Sequence, residues 1–225
     1  MPTGRYHHGD LRNALLHAAE EELTEKGVAG FSLRGCAKRA GVSHAAPAHT
    51  FGNAEGLLAA LVEEGFVRLD RAMRRRMDGA RDPSDRLVAS GLGYMAFARE
   101  NRALFELMFG GRVSLADRMD AQSAAGRAFE TLCEAVATAR GRAGIETSDD
   151  WQAVATAWSL VHGQAHLENG GHLTMLGEGE AREAALCAML ETTFAAAQTK
   201  TASPQGEAVR VFEADGTRAG PKLKA

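Results

Sequence analysis

The chain has 225 residues, enough for one large domain or two small ones, and 45% of them are hydrophobic, which allows an ordinary buried core. The formal net charge of −3 at pH 7 excludes a protein-wide attraction to nucleic acid or membranes, so an anionic partner must meet a local basic patch. No apolar run approaches the roughly 20 residues that span a bilayer, and none follows the start as in a signal peptide. We therefore expect a cytoplasmic protein with no membrane partner. Its free thiols would lie in a reducing compartment, at Cys36, Cys133 and Cys187.

Abundant alanine and only five prolines favour closely packed helices, which the apolar pattern predicts one after another. Residues 1–8 are expected to form a mobile arm. Asp10 is suited to cap a first helix, and Gly27 to end it. The apolar residues of this helix repeat every four positions and are Leu11, Leu15, Ala19 and Leu23.

Two short helices follow, and the turn between them is the most informative part of the chain. Ser32 is placed to cap the first and Ser43 the second, while Gly41 allows a tight turn. With Ser43 as N-cap, Pro47 is the fourth helical residue, where it costs less than the roughly 3 kcal/mol of an interior proline. A small residue, Ala37, lets the two helices cross closely. The sequence therefore predicts a helix-turn-helix.

The second short helix has small and polar side chains, which would let it sit deep in a DNA major groove about 12 Å wide. Alanine methyl groups can touch thymine methyl groups, and histidines can donate hydrogen bonds to bases or phosphates. A helical hairpin that merely packs in an all-α protein is the alternative. The histidines of this region and the basic residues Arg34, Lys38 and Arg39 favour DNA. The residues predicted to face DNA are Ser43, His44, Ala45, Ala46, Ala48, His49 and Thr50.

The remainder of the chain also has helical periodicity. Asn53 is suited to cap a long connecting helix over 53–78, which ends in the basic stretch RAMRRRM, expected to be a solvated face. Further helices are predicted near 84–99, around 105–109, up to about 140, from Asp149 or Asp150 to 168, and over 179–198. Residues 199–225 should be a disordered tail. The predicted fold class is all-α: a three-helix helix-turn-helix domain over 1–52, joined by the long helix to a larger C-terminal bundle within 53–198.

An amphipathic helix, then KG, FSLRGCAKRAGVS, a phenylalanine and EGLLAAL occur in this order within residues 6–66. This order resembles the DNA-binding region of the tetracycline-repressor (TetR) family. The resemblance implies a dimer that binds a palindromic operator in double-stranded DNA and is released by a small ligand. It also implies that Ser32, at a helix N-terminus, contacts phosphate. The chain departs from the family at Ala48, Thr50 and Ala54, where relatives usually carry a tyrosine, an aromatic residue and a lysine.

Trp158, His162 and Gly163 resemble the W-H-G signature of one C-terminal subgroup of these regulators. In this family the C-terminal half encloses the effector pocket, which implies an apolar or aromatic effector here. The residues assigned to that pocket are Tyr94, Phe97, Phe105, Met108, Phe109, Trp158 and His162. As in relatives, the helices over 149–168 and 179–198 would form the interface of a homodimer, packed through the small residues Ala153, Ala157, Ala185 and Ala188.

Two other classes of function remain as alternatives. His162 and His166 lie four residues apart on a helix, a spacing that metal sites use, so an all-α metal-dependent enzyme is one alternative. Gly163 follows His162, so the H-E-x-x-H motif is missing, and no nucleophile motif surrounds Ser159. A helical adaptor protein is the other alternative. We predict a ligand-responsive transcription regulator, with no catalytic residue, metal or cofactor.

Overall fold

A computed structural model describes residues 8–114, 120–173 and 179–199, and the side chains of 11–114, 120–173 and 179–192 within them. All regular secondary structure of these residues is helical, which confirms the predicted all-α class. The predicted arm and tail lie outside the described residues, except for the helical backbone at His8 and Thr199. The helices in chain order are α1 (His8–Gly30), α2 (Leu33–Ala40), α3 (Ala46–Phe51), α4 (Ala54–Met77), α5 (Pro83–Glu100), α6 (Arg102–Phe109), α7 (Ala124–Ala139), α8 (Ser148–Asn169) and α9 (Glu180–Thr199).

The first helix begins earlier than the sequence suggested. α1 starts at His8, so the prediction that Asp10 is its N-cap is wrong. The backbone is already helical at residue 10, whereas an N-cap residue lies outside the helical backbone. Gly27, with φ of 65°, interrupts the helical backbone as predicted, and residues up to Gly30 follow this kink. The predicted apolar face is confirmed at Leu15, Ala19 and Leu23, which are fully buried, while Leu11 is half-buried.

The second helix and its turn follow the prediction. The Ser32 hydroxyl oxygen caps α2 by accepting the N–H of Gly35 at 3.1 Å. Gly41 ends α2 in the left-handed region, at φ of 66°, which glycine adopts at little cost. Cys36 and Ala37 are fully buried, so α2 lies close against its neighbours.

The prediction that Ser43 caps the third helix is wrong. α3 begins at Ala46, after a turn in which the Ala46 N–H donates to the Ser43 carbonyl at 3.0 Å, and no side chain caps it. Pro47 is therefore the second helical residue, where the backbone N–H has no partner inside a helix anyway. A helix that began just after Ser43 would lose the ladder bond from position 47, which explains the later start. Pro47 is buried and holds α3 against the domain.

The connecting helix α4 runs through both halves of the protein. Asn53 caps it, as predicted, by accepting the N–H of Gly56 at 2.9 Å. α4 crosses α5 so closely that a Cβ on Gly93 would lie 2.6 Å from the Ala72 carbonyl oxygen. One cluster of buried apolar residues extends from Leu16 in α1 to Leu190 in α9. The division into domains over 1–52 and 53–198 stays a prediction, because the core passes through this boundary.

The cap of the eighth helix differs from the prediction. Thr147, rather than Asp149 or Asp150, is the N-cap of α8. The Thr147 hydroxyl oxygen accepts the Asp150 N–H at 3.2 Å, and the Asp150 carboxylate accepts the Thr147 N–H at 3.0 Å. This reciprocal capping box satisfies two backbone donors with two side chains, which a lone aspartate cap would not.

Only part of the alanine face predicted for a dimer interface is accessible on the surface of the protomer. Ala153 and Ala157 are 9% and 1% exposed, so both are buried inside the protomer, and their assignment to an interface is wrong. α8 turns this side towards the core of its own chain. Ala185 is half-buried and Ala188 is exposed. Among the described residues, no helix combines the length and apolar character needed to cross a bilayer.

Candidate functional site

The residues predicted to face DNA lie in α3 and in the turn just before it, and most of them are exposed. Ser43, His44, Ala45, Ala48 and His49 are exposed, while Ala46 and Thr50 are half-buried. The Thr50 hydroxyl donates to the Ala46 carbonyl at 2.9 Å, so its proton is already used. The surface therefore presents methyl groups, two imidazoles and one serine hydroxyl, without a bulky side chain that would keep α3 away from another surface.

At the start of α2, the serine predicted to contact phosphate is already engaged. The Ser32 hydroxyl donates to Glu22 Oε1 at 3.2 Å while its oxygen accepts the N–H of Gly35. Ser32 could donate to a phosphate only by turning its proton away from Glu22. Arg34 and Lys38 are exposed and supply the positive charge of this region.

A buried carboxylate, which the sequence did not single out, fixes α2 on α1. Glu22 is 0% exposed and accepts hydrogen bonds from Lys26 Nζ and Arg39 Nε, both at 2.8 Å, in addition to the bond from Ser32. Burial alone would raise the pKa of Glu22, but the bonds from these three side chains outweigh it and hold the pKa below its ordinary value. A Cβ on Gly35 would lie 1.9 Å from Glu22 Oε1, so the carboxylate fills the space above that glycine.

This network has a direct consequence for the candidate site. It joins α1 to both ends of α2, because Ser32 precedes α2 and Arg39 lies in its last turn. α3 follows α2 after a turn of a few residues, so the network also sets the direction in which α3 projects. The spacing of Glu22 and Lys26 was visible in the sequence, but it is equally typical of an exposed pair.

A cavity lies in the C-terminal half, mainly between α4, α5, α7 and α8, with one residue each from α6 and α9. Its volume is about 50 Å³, which is room for only a few water molecules. No charged residue lines it among the described residues, and the side chains around it are mostly aliphatic or aromatic. They belong to Phe66, Leu69, Met73, Leu87, Ser90, Gly91, Tyr94, Phe109, Ala125, Ala128, Phe129, Leu132, Ala157, Trp158, Val161 and Leu190.

The predicted pocket residues are divided between this cavity and the core. Tyr94, Phe109 and Trp158 line the cavity. Phe97, Phe105 and Met108 are at most 3% exposed and are absent from its lining. Met108 packs against α4, where a Cβ on Gly65 would lie 2.6 Å from its sulfur. His162 is not part of the lining but contacts it through Tyr94 and Phe109.

Tyr94 and His162 form a polar pair at the edge of the cavity, with 2.7 Å between the hydroxyl oxygen and Nδ1. Burial raises the pKa of Tyr94, although a hydrogen bond from Trp158 opposes this. Burial also lowers the pKa of His162 to about 4, and the nearby His166 adds to the shift. Both groups are therefore neutral near pH 7. Between these two neutral groups the shared proton belongs either to the Tyr94 hydroxyl or to Nδ1 of His162, according to the tautomer of the imidazole.

The geometry gives no support to a metal centre or a reactive thiol. His162 and His166 pack edge to face, with ring centroids 4.5 Å apart, and Trp158 lies edge-on to His162 with centroids 6.1 Å apart. No group of three or more histidine, cysteine, aspartate or glutamate residues is placed to hold a metal ion within the described ranges. Burial raises the pKa of Cys36 and of Cys133 to about 11, which keeps both thiols protonated.

Two family descriptions match the chain. Residues 15–61 match "Bacterial regulatory proteins, tetR family", and residues 87–193 match "Tetracyclin repressor-like, C-terminal domain". A curated relative, the HTH-type transcriptional regulator BetI of Stenotrophomonas maltophilia (strain R551-3), is 37% identical over 79 residues. That alignment covers 35% of this chain and 40% of the relative, so the chain matches less than half of the relative's length.

Solved structures share the fold over most of the chain. A protein with unknown function from Rhodococcus sp. RHA1 is 34% identical, with 86% of this chain and 98% of that chain covered and a TM-score of 0.70. PfmR, a TetR family transcriptional regulator from Thermus thermophilus, is 21% identical, with 80% of this chain and 97% of that chain covered and a TM-score of 0.59. At that identity the second likeness concerns the fold alone.

Proposed function

Since the chain belongs to the TetR family of bacterial transcription regulators, we propose that it is a homodimeric repressor that binds a palindromic operator and leaves it when a small effector binds. The observation that carries this proposal is the exposed surface of α3, which has small side chains and projects from a polar, rigidly held helix-turn-helix. A repressor of this kind acts in the cytoplasm, where bacterial DNA lies.

In the proposed complex α3 enters the major groove. Ala45 and Ala48 contact thymine methyl groups, and His44 and His49 donate hydrogen bonds to base edges or phosphates. Ser43, Ala46 and Thr50 complete this surface. Arg34 contacts a phosphate beside the groove, which fixes the register without reading sequence. Ser32 takes part less directly than the family resemblance implied, because its proton is donated to Glu22.

The proposed dimer uses α8 and α9. The exposed large hydrophobic residues among those described are Leu167 in α8, 47% exposed, and Met189 in α9, 42% exposed. A Cβ on Gly163 would meet nothing within 4 Å inside the protomer, so packing within the chain does not require a glycine there. The close approach of a second copy would explain why this position is a glycine. This explanation supports the assignment of Trp158, His162 and Gly163 to the W-H-G subgroup.

The proposed effector is an uncharged, mainly apolar molecule with one hydrogen-bonding group. A charged ligand would lose its hydration in the cavity without meeting a counter-charge, whereas the Ser90 and Tyr94 hydroxyls suit a single polar group. The cavity is too small for such a molecule unless the surrounding helices move apart. An effector that binds only the expanded conformation must shift the population towards it, and thereby changes the position of α4 and the attached α3.

Selection of duplexes from a random-sequence library on the purified protein tests the proposal. We expect one palindromic sequence to be enriched, two chains to bind each duplex, and affinity to fall steeply with salt. His49→Ala should weaken binding, while His172→Ala, which changes an exposed histidine of the C-terminal half, should not. Failure to enrich any duplex, or an affinity that does not respond to salt, contradicts the proposed function.

A further inference from the structure

One arginine of the connecting helix joins three separate elements. Arg68 Nη1 donates to both carboxylate oxygens of Glu20 in α1, each at 2.8 Å. Its Nη2 donates to Asn101 Oδ1, at the junction of α5 and α6. A planar guanidinium can hold two partners in fixed directions at once, so Arg68 sets the distance between α1 and this junction.

The junction leads directly to the cavity. Asn101 ends α5 and begins α6: its Nδ2 donates to the Phe97 carbonyl, and its own carbonyl accepts the Phe105 N–H, both at 2.8 Å. Phe105 and Phe109 of α6 place their ring centroids 5.6 and 4.7 Å from that of His162. Phe109 is the last residue of α6, an eight-residue helix that begins directly after Asn101, so a shift of Phe109 in the cavity wall can move this short helix and the junction.

The other partner leads to the DNA-facing surface. Glu20 lies in α1 two residues before Glu22, whose carboxylate holds both ends of α2. α1 also packs directly against α6. A change in the position of Asn101 can thus be transmitted through Arg68 to α1, and from α1 to α2 and α3.

We propose that Arg68 is a positioning residue that couples the cavity to the helix-turn-helix, by holding α1 and the α5–α6 junction in the orientation that binds DNA. This inference rests on the proposed function. The side chains of Arg68 and Glu20 are 29% and 33% exposed, and ion pairs at that exposure contribute little to stability. The arrangement therefore matters for orientation, and removing it should leave the protein folded.

Coupling is reciprocal, so DNA itself can serve as the ligand in the test. Amide hydrogen exchange of α6 is measured by mass spectrometry with and without the duplex selected on the wild-type protein. In the wild type, DNA should slow exchange in α6 by about fivefold or more, a typical size for coupling between sites. In Arg68→Met this remote effect should be lost, while protection of α3 by DNA remains at saturating duplex. Arg68→Lys, which keeps the charge but not the planar fork, should give an intermediate effect.

Arg75→Met is the matched control, because Arg75 is an exposed arginine of the same helix, and it should behave as the wild type. If Arg68→Met does not fold, Glu20→Gln replaces it, since this change removes the ion pair but preserves the shape of the side chain. No selected duplex at all contradicts the proposed function. Two outcomes overturn the coupling role alone. In the first, the duplex protects α3 in the wild type but does not change amide exchange in α6. In the second, it slows exchange in α6 of Arg68→Met or Glu20→Gln as much as in the wild type.

Discussion

Replacing Glu22 by glutamine should weaken the helix-turn-helix more than any exposed charge change. The glutamine keeps the shape of the side chain but removes the negative charge that pairs with Arg39 and Lys26. Its amide N–H₂ group would also face side chains that are themselves hydrogen-bond donors. A hydrogen bond to a charged group contributes about 1.5–3 kcal/mol, against about 1 kcal/mol for a neutral one. The Arg39 side chain is 25% exposed, but that of Lys26 is 42% exposed. The contribution of the Lys26–Glu22 pair to stability is therefore reduced towards that of a surface ion pair. We expect a loss of about 2–3 kcal/mol in the free energy of unfolding at pH 7.

The pH dependence gives this prediction a second, independent measurement. The pKa of Glu22 in the folded protein is lowered from an ordinary value of 4.5. Its stabilising contribution is therefore complete above about pH 4.5 and is lost as the pH falls through the lower folded value. Urea unfolding followed by circular dichroism should show a large difference between wild type and Glu22→Gln at pH 7, and a smaller one near pH 3.

Glu21→Gln is the control, because the Glu21 side chain is 51% exposed and lies 3.6 Å from His17 at the surface. It should change stability by less than about 0.5 kcal/mol. The reasoning is refuted if Glu22→Gln unfolds like the wild type at pH 7. It is equally refuted if the difference in stability stays constant down to pH 3.

Gly35→Ala should destabilise the protein at least as much as Glu22→Gln, since its Cβ would lie 1.9 Å from Glu22 Oε1. In urea unfolding, the double variant should lose less stability than the sum of the two single variants. Additive losses would contradict a shared cause. His162→Asn should flatten the rise in stability between about pH 4 and 6.5. The neutral form of His162 is favoured on folding, so the unfolded state binds more protons in that window, and the slope should fall by up to about 1.4 kcal/mol per pH unit; an unchanged slope would contradict it. Since the proposed dimer packs through α8, Leu167→Glu should convert it to monomer in analytical ultracentrifugation and weaken binding to the selected duplex; a variant that stays as dimeric as the wild type would exclude α8 from the interface.

Local rules predicted the helix-turn-helix well because its signals are local. Ser32 and Asn53 cap helices whose first turns follow directly, and Gly41 takes the backbone conformation that glycine favours. The same rules gave the wrong start for α3, because Ser43 and Pro47 predict different boundaries. The proline decided the outcome, since its missing N–H is harmless in the first turn only.

The contacts that position the candidate site could not be predicted in the same way. Arg39 reaches Glu22 across 17 residues, and Arg68 reaches Glu20 across 48, so both pairs depend on how α1 packs on the other helices. For the cavity, the apolar periodicity placed Phe105 and Phe109 on the same short helix. It could not show which of the two side chains lines the cavity. Phe109 lines the cavity while Phe105 is buried beside it, because the rotation of α6 is set by its packing on α1 and α4.

The way α2 and α3 are held explains why a carboxylate matters so much there. Together they bury only Cys36, Ala37 and Pro47 fully, and a buried methyl or methylene group contributes about 0.8 kcal/mol. Small side chains suit a helix that must enter a groove, but they leave little apolar surface to fix its direction. The loss of about 2–3 kcal/mol expected for Glu22→Gln is larger than the roughly 0.8 kcal/mol of the Ala37 methyl group and comparable to the roughly 2.4 kcal/mol of the three ring methylenes of Pro47. Hydrogen bonds also depend on direction more than apolar contacts do, so the Glu22 network restricts rotation of α2 on α1, and α3 inherits that orientation.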